Sequence, residues 1–338
     1  MSRTLIPHTL AAMLAASTAH AEVPRVAVDI APVQSLVARV MAGLGAPDLI
    51  VAQGASPHEY SLRPSEAQAL QDADLVFWIG PDLTPWLGDA VTSLAGDASV
   101  TALLQAEGTL VLAIREGALF DAHDHGEEAG HDDHADHADH ADHADHSDHA
   151  DHSDHAGDDA HSDHGHDHGA SDPHAWLSPE NAAHWLDVIA ARLSAVDPAN
   201  AATYGANALA GQAEIAALSG EIDALLAPVR GGRFVVFHDA YQYFENSFDM
   251  PAAGSITLSD ASDPSPARIA EVQGRIRADS ISCVLAEPQF NPGLVATVLD
   301  GTQAQTGVLD PLGSDLAPGP GLYPNLLRNM ATTLAGCL

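Results

Sequence analysis

Fifteen of the 21 histidines in this chain fall within residues 121–168, interleaved with acids, and from His134 to His155 one recurs at every third position in Ala-Asp-His and Ser-Asp-His units. Imidazole is a borderline-soft donor that suits zinc, copper and nickel, whereas a calcium or magnesium site would be assembled from oxygen alone. The tract therefore points to a first-row transition metal. It carries almost no apolar side chain larger than alanine, so it buries too little surface to offset the entropy of ordering it, and a disordered loop is expected over residues 121–170. A floppy chelator has no fixed geometry and little metal selectivity. Such a tract can also serve only to solvate a surface, so selective chemistry has to be sought elsewhere.

Three histidines outside the tract are placed where fixed geometry can arise. His58 lies in Gly54-Ala55-Ser56-Pro57-His58-Glu59-Tyr60, after the apolar run 49–51. His238 directly follows the run 234–237, and His174 lies in Asp172-Pro173-His174-Ala175-Trp176-Leu177-Ser178-Pro179, where the tract ends and a helix is expected to begin. Ligands of open α/β sheets bind beyond the carboxyl ends of strands, which is where His58 and His238 would lie. Three neutral imidazoles from separate loops supply most of a tetrahedral zinc shell. Composition alone does not single these three out, since one loop histidine is more often an ordinary polar residue.

The elements that would position them alternate between short β-rich runs and helical stretches, the pattern of α/β layers on a mainly parallel sheet. Strands are expected at 26–30, 49–51, 75–79 and 110–114, and then at 234–237, 283–286 and 308–309. A capping residue followed by proline marks helix starts at Ser178-Pro179, Asp197-Pro198 and Ser265-Pro266. Residues 198–226 are rich in Ala, Leu and Glu with no proline after the first, and could form one helix of roughly 40 Å. Gly205, Gly211 and Gly220 weaken that expectation. Such a helix between two α/β halves would be a stiff connector.

Arg3, a short apolar run over 10–16 and the small-x-small sequence Ala19-His20-Ala21 read as an export leader over residues 1–21. No later stretch reaches the roughly 18 apolar residues of a membrane span. Cys283 and Cys337 are the two cysteines, and in an exported chain such a pair points to a disulfide tying the C-terminus to the last domain. A zinc site on the two sulfurs would lack the close CxxC spacing. The formal charge of −35 argues against nucleic acid, because phosphate backbones are bound by clustered Lys and Arg. All twelve basic residues are scattered arginines. Without lysine there is no Walker A loop, no Schiff-base lysine and no pyridoxal enzyme.

Five blocks in order carry a resemblance: Gly54-Ala55-Ser56-Pro57-His58-Glu59-Tyr60-Ser61-Leu62-Arg63-Pro64-Ser65, His174-Ala175-Trp176-Leu177-Ser178-Pro179-Glu180, Val236-Phe237-His238-Asp239-Ala240-Tyr241, Ala286-Glu287-Pro288-Gln289-Phe290 and Leu309-Asp310-Pro311-Leu312-Gly313. From about Val26 onward the chain resembles the exported zinc-binding component of bacterial zinc ABC importers, the ZnuA type. The resemblance implies a cluster A-I solute-binding fold, two (β/α) lobes joined by a long rigid helix with a metal cleft between them. It divides the chain into a leader at 1–21, a first lobe at 22–197 containing the loop, a linker helix at 198–229 and a second lobe at 230–338. It implies a periplasmic monomer that binds Zn2+ through His58, His174 and His238 and delivers it to an ABC permease subunit at the inner membrane, with further zinc bound weakly by the tract.

The fourth ligand stays open. Some members of the family have an acid directly before the first ligand histidine, and here that position is Pro57. Water, Glu287 or Glu59 could complete the tetrahedron, water being favoured because an open position lets the metal leave. Glu287 follows the strand at 283–286 and is either a ligand or the acceptor that orients a ligand histidine through its distal nitrogen. Asp239 adjoins a ligand or caps the following helix, and His184 beside Trp185 reads as structural. Three histidines and a water also describe a catalytic zinc. Against a hydrolase, there is no HExxH helix and no acid placed as a general base. A pure zinc buffer would need only the tract, and manganese would call for more oxygen ligands.

Overall fold

The computed structural model describes residues 23–115, 120, 171–257 and 264–338. The expected leader and the histidine tract lie outside the described residues. In chain order the elements are β1 (Val26–Val28), α1 (Ala31–Val40), β2 (Asp48–Leu49), α2 (Pro64–Asp72), β3 (Leu75–Trp78), α3 (Pro85–Leu94), β4 (Ser99–Ala102), a 3-10 turn (Ala175–Leu177), α4 (Pro179–Val196) and α5 (Ala201–Leu226). After a second 3-10 turn (Ala227–Val229) come β5 (Phe234–His238), α6 (Gln242–Phe248), β6 (Ser255–Thr257), α7 (Pro266–Ala278), β7 (Cys283–Ala286), α8 (Pro292–Leu299), β8 (Gln305–Val308) and α9 (Leu322–Cys337).

The strands form two four-stranded sheets, β2-β1-β3-β4 and β6-β5-β7-β8, parallel throughout. Both have the same winding. Central strands of parallel sheets are covered on both faces and so read as unbroken apolar runs. β1, β3 and β5 are buried at every position. Edge strands lack that signature: β4 is Ser-Val-Thr-Ala and half exposed, β6 is Ser-Ile-Thr, and neither is expected from the apolar pattern. β8 begins at Gln305 in a polar run, earlier than the expected 308–309.

The strand expected at 110–114 does not form. Its amides are committed to side chains, Leu110 N to Asn181 Oδ1 at 2.8 Å and Leu112 N to the Tyr243 hydroxyl at 2.9 Å, leaving one isolated bridge between Ala113 and Ser171. Leu110, Val111 and Ile114 are exposed, which explains why apolar content misleads here.

Ser178 and Ser265 cap α4 and α7 by accepting from Asn181 N and Arg268 N. At Asp197-Pro198 the helix starts three residues later, because Asp197 instead accepts from the Asn200 amide and the Tyr204 hydroxyl. The 26 residues of α5 span about 39 Å at 1.5 Å each. Its buried stripe, Tyr204, Ala208, Gly211, Ile215, Leu218, Ile222 and Leu226, follows three- and four-residue steps and packs on α4 and α9. α9 also reaches α1, so one hydrophobic cluster runs from β1 through the long helices to β5 and the C-terminus. Cys283 of β7 is bonded to Cys337 at the end of α9. Among the described residues no helix is long and apolar enough to cross a membrane.

Two glycines of α5 differ in their reason for being there. A Cβ at Gly211 would stand 2.8 Å from Leu186 Cδ1 and 3.2 Å from Arg39 Cγ, so the helices approach closely at that point. Gly220 is exposed with nothing within 4 Å. Gly220→Ala should therefore stabilise by about 0.5–1 kcal/mol through helix propensity. That raises the midpoint of thermal unfolding by about 1–2 °C in a protein of this size. Gly211→Ala should give no such gain, and an equal rise in both variants would refute the close approach.

Candidate metal centre

The pairing of β5 with β7 builds one side of the site. Phe234 lies opposite Cys283 and Val235 opposite Val284, a register that brings His238, the last residue of β5, beside Glu287, the first residue after β7. Both are buried. Glu287 Oε1 accepts from the His238 backbone N–H at 3.2 Å and bonds the ring Nδ1 at 2.6 Å. In a sheet wound this way, neighbouring strands whose connections run in opposite directions leave a crevice beyond their carboxyl ends. β5 and β7 are that pair in the second sheet.

His174 stands just before the 3-10 turn that leads to the Ser178 cap. Asp172 Oδ1 accepts from the His174 backbone N–H at 3.0 Å and bonds its Nδ1 at 2.8 Å. Asp172 is almost fully buried, and burial pushes its carboxyl up to about 7 against the lowering pull of the His174 N–H and of Arg115. The third ring, His58, is half-buried in the connection from β2 to α2. There Trp86 Nε1 donates to Pro57 O at 2.7 Å, the His58 N–H donates to Ser56 Oγ at 3.2 Å, and the Gln53 amide reaches the Gly313 and Leu316 carbonyls.

These elements bring the three imidazoles together. One ligand atom from each of His58, His174 and His238 lies within 4.8 Å of the other two, and His174 Nε2 is 3.4 Å from His238 Nε2. Two nitrogens on one tetrahedral zinc at 2.0–2.1 Å stand about 3.3 Å apart, so the His174–His238 spacing matches a shared ion. A carboxylate on each Nδ1 favours the tautomer with hydrogen there and a lone pair on Nε2. The surrounding pocket is lined by Trp176, Phe290, Pro311 and Leu312. Trp176 lies against His174 and Phe290 against His238, with ring centroids 5.3 and 5.6 Å apart, and the Trp176 indole donates to Pro311 O at 2.8 Å.

Glu287 faces the pocket from behind His238, whereas Glu59 is exposed and does not line it. Asp239 does not cap α6, whose preceding residue, Tyr241, makes no side-chain cap; it is instead paired with Arg115. His184 lies apart from the pocket, its Nε2 2.8 Å from Glu107 O. Asp172, which bonds the His174 ring, is not among the site residues expected from sequence, although its Asp-x-His spacing is a usable signal. Nothing in the sequence marks Arg115.

Two parallel α/β halves with a long helix packed beside them form the fold expected of the cluster A-I solute-binding proteins. Solved structures agree on the fold: the crystal structure of ZnuA aligns with a TM-score of 0.69 at 20% identity over 93% of this chain and 98% of that one. The solute-binding protein FpvC from Pseudomonas aeruginosa in complex with Mn2+ aligns with a TM-score of 0.70 at 19% identity, covering 93% and 98%. Residues 26–337 match the family model described as zinc-uptake complex component A, periplasmic. The high-affinity zinc uptake system protein ZnuA of Brucella abortus (strain 2308) is 48% identical over 313 residues, 93% of this chain and 91% of its own length. Its counterpart in Paracoccus denitrificans (strain Pd 1222) is 47% identical over 325 residues, covering 96% and 94%. The chain belongs to the ZnuA family.

The Asp172–His174 pair yields a direct test. Asp172→Ala removes the acceptor that orients the ring without touching a nitrogen of the cluster, and should weaken binding of a divalent metal by about 10–100-fold. Competition against a chromogenic chelator measures this, and wild-type affinity would show that the carboxylate has no part in orienting His174.

Proposed function

We propose that this chain captures Zn2+ in the periplasm and hands it to an ABC permease subunit at the inner membrane, with zinc as cargo rather than as a resident cofactor. The observation that carries this reading is the convergence of three imidazole donors within 4.8 Å in a chain of the ZnuA family. His58, His174 and His238 are the protein ligands. Three nitrogens favour zinc over manganese, which prefers oxygen. Glu287 is engaged by the ring and the backbone of His238 and Glu59 is exposed, which leaves solvent as the fourth ligand and Glu287 as the acceptor that orients His238. A solvent ligand suits a carrier, because the cargo can be taken over by another ligand without first displacing a fourth side chain. The protein works as a monomer, in two lobes on either side of the long helix. The tract over 121–170 binds further zinc more weakly, since chelation there must order the chain.

His58→Ala, His174→Ala and His238→Ala should each weaken the tightest zinc site by at least tenfold, about 1.4 kcal/mol, while the metal-free protein stays folded. Chelator competition with circular dichroism as the folding control reads both quantities, and unchanged affinity would remove that residue from the site. Deleting residues 121–168 should lower the zinc stoichiometry and leave one tight site. Isothermal titration that found the tight site gone would mean that the tract supplies its ligands.

A further inference from the structure

Arg115 is a cation buried among acids. Its side chain is 15% exposed, between Asp239 at 6% and Glu245 at 4%. Nε donates to both Asp239 oxygens at 3.0 and 3.1 Å, Nη1 donates to Glu245 Oε2 at 2.7 Å, and Nη2 donates to Glu245 Oε1 at 2.9 Å and to Asp239 Oδ1. The Phe120 ring centroid lies 3.6 Å from the guanidinium carbon. A planar fork with five N–H donors can meet two carboxylates with several bonds each, which an ammonium with three donors cannot match.

The two acids and the arginine come from different parts of the chain. Asp239 directly follows His238 and Glu245 lies on α6, whereas Arg115 comes from the stretch of chain ahead of the histidine tract. The first turn of α6 grips the rest of that segment. Leu112 N donates to the Tyr243 hydroxyl at 2.9 Å, and that hydroxyl donates to Asp172 O at 2.9 Å. The Gln242 amide, turned so that its nitrogen faces them, donates to Ala113 O at 3.1 Å and to Asp172 Oδ2 at 3.2 Å. Asp172 in turn holds the ring of His174. A short stretch of chain continuous with His238 therefore carries the support of His174, and the Arg115 fork fastens the two together.

We propose that Arg115 is a positioning residue of the metal centre: by joining the 112–115 segment to Asp239 and α6 it fixes the separation of His174 and His238 and slows the escape of bound zinc. This rests on the reading of the three histidines as ligands. The test uses the full chain loaded with zinc, measuring release into excess chelator by stopped flow, together with the visible spectrum of the Co2+-loaded protein. Arg115→Lys and Tyr243→Phe should each release zinc roughly tenfold faster, with association unchanged and the Co2+ bands displaced. Arg115→Met combined with Asp239→Asn and Glu245→Gln removes the cluster without stranding a buried charge, and should behave the same way even where Arg115→Lys folds poorly. A residue that only stabilised the fold would lower the metal-free unfolding midpoint while release rate and spectrum kept wild-type values, and that result overturns the proposal. His238→Ala run alongside separates the two readings. Wild-type zinc retention in that variant overturns the ligand assignment and this proposal together, whereas loss of zinc there with wild-type release in the others overturns this proposal alone.

Discussion

The register between β5 and β7 is the constraint from which the site follows. Because the two strands run parallel and in step, the histidine that ends one meets the glutamate that follows the other, and both are buried. A buried carboxylate is costly without partners, and here it takes the backbone N–H and the ring of the same residue. Side chains alternate between the faces of a strand, so a slip of one residue would turn His238 to the wrong face of the sheet. The chemistry of one imidazole is therefore fixed by backbone hydrogen bonds several residues away.

The two halves share a strand order yet use it differently. In the first sheet the crevice lies between β1 and β3, and Asp29 fills it, accepting from Ile30 N and Ile79 N at 2.8 Å each. Burial pushes that carboxyl up to about 7 despite the N–H donors. Asp29 thereby stitches β1 to the end of β3. In the second sheet the equivalent crevice carries His238 and Glu287. The first half contributes instead through loops, His58 after β2 and His174 before α4, so a repeated architecture yields a single site.

What could be read from the sequence depended on whether the cause was local. β1, β3, β5 and β7 announce themselves because burial on both faces demands apolar residues in a row. β4 does not, since it is half exposed, nor does β6, whose three buried residues include two hydroxyls, and 110–114 looks like a strand although tertiary hydrogen bonds claim two of its amides. The three histidines stood out through the motifs around them and not through composition. Asp172 carried a faint local sign in its spacing from His174. Arg115 carried none, because its meaning arises only when Asp239 and Glu245, more than a hundred residues later, fold against it.

Helix α9 ties together parts of the chain that lie far apart in sequence. α9 packs on both α1 and α5, and its final turn is bonded through Cys337 to the strand that leads to Glu287. The helical layer shared by both halves is thus closed by a segment far removed in sequence from α1. The entropy of closing so long a loop has to be met before this layer gains its contacts, and the disulfide then holds α9 in place.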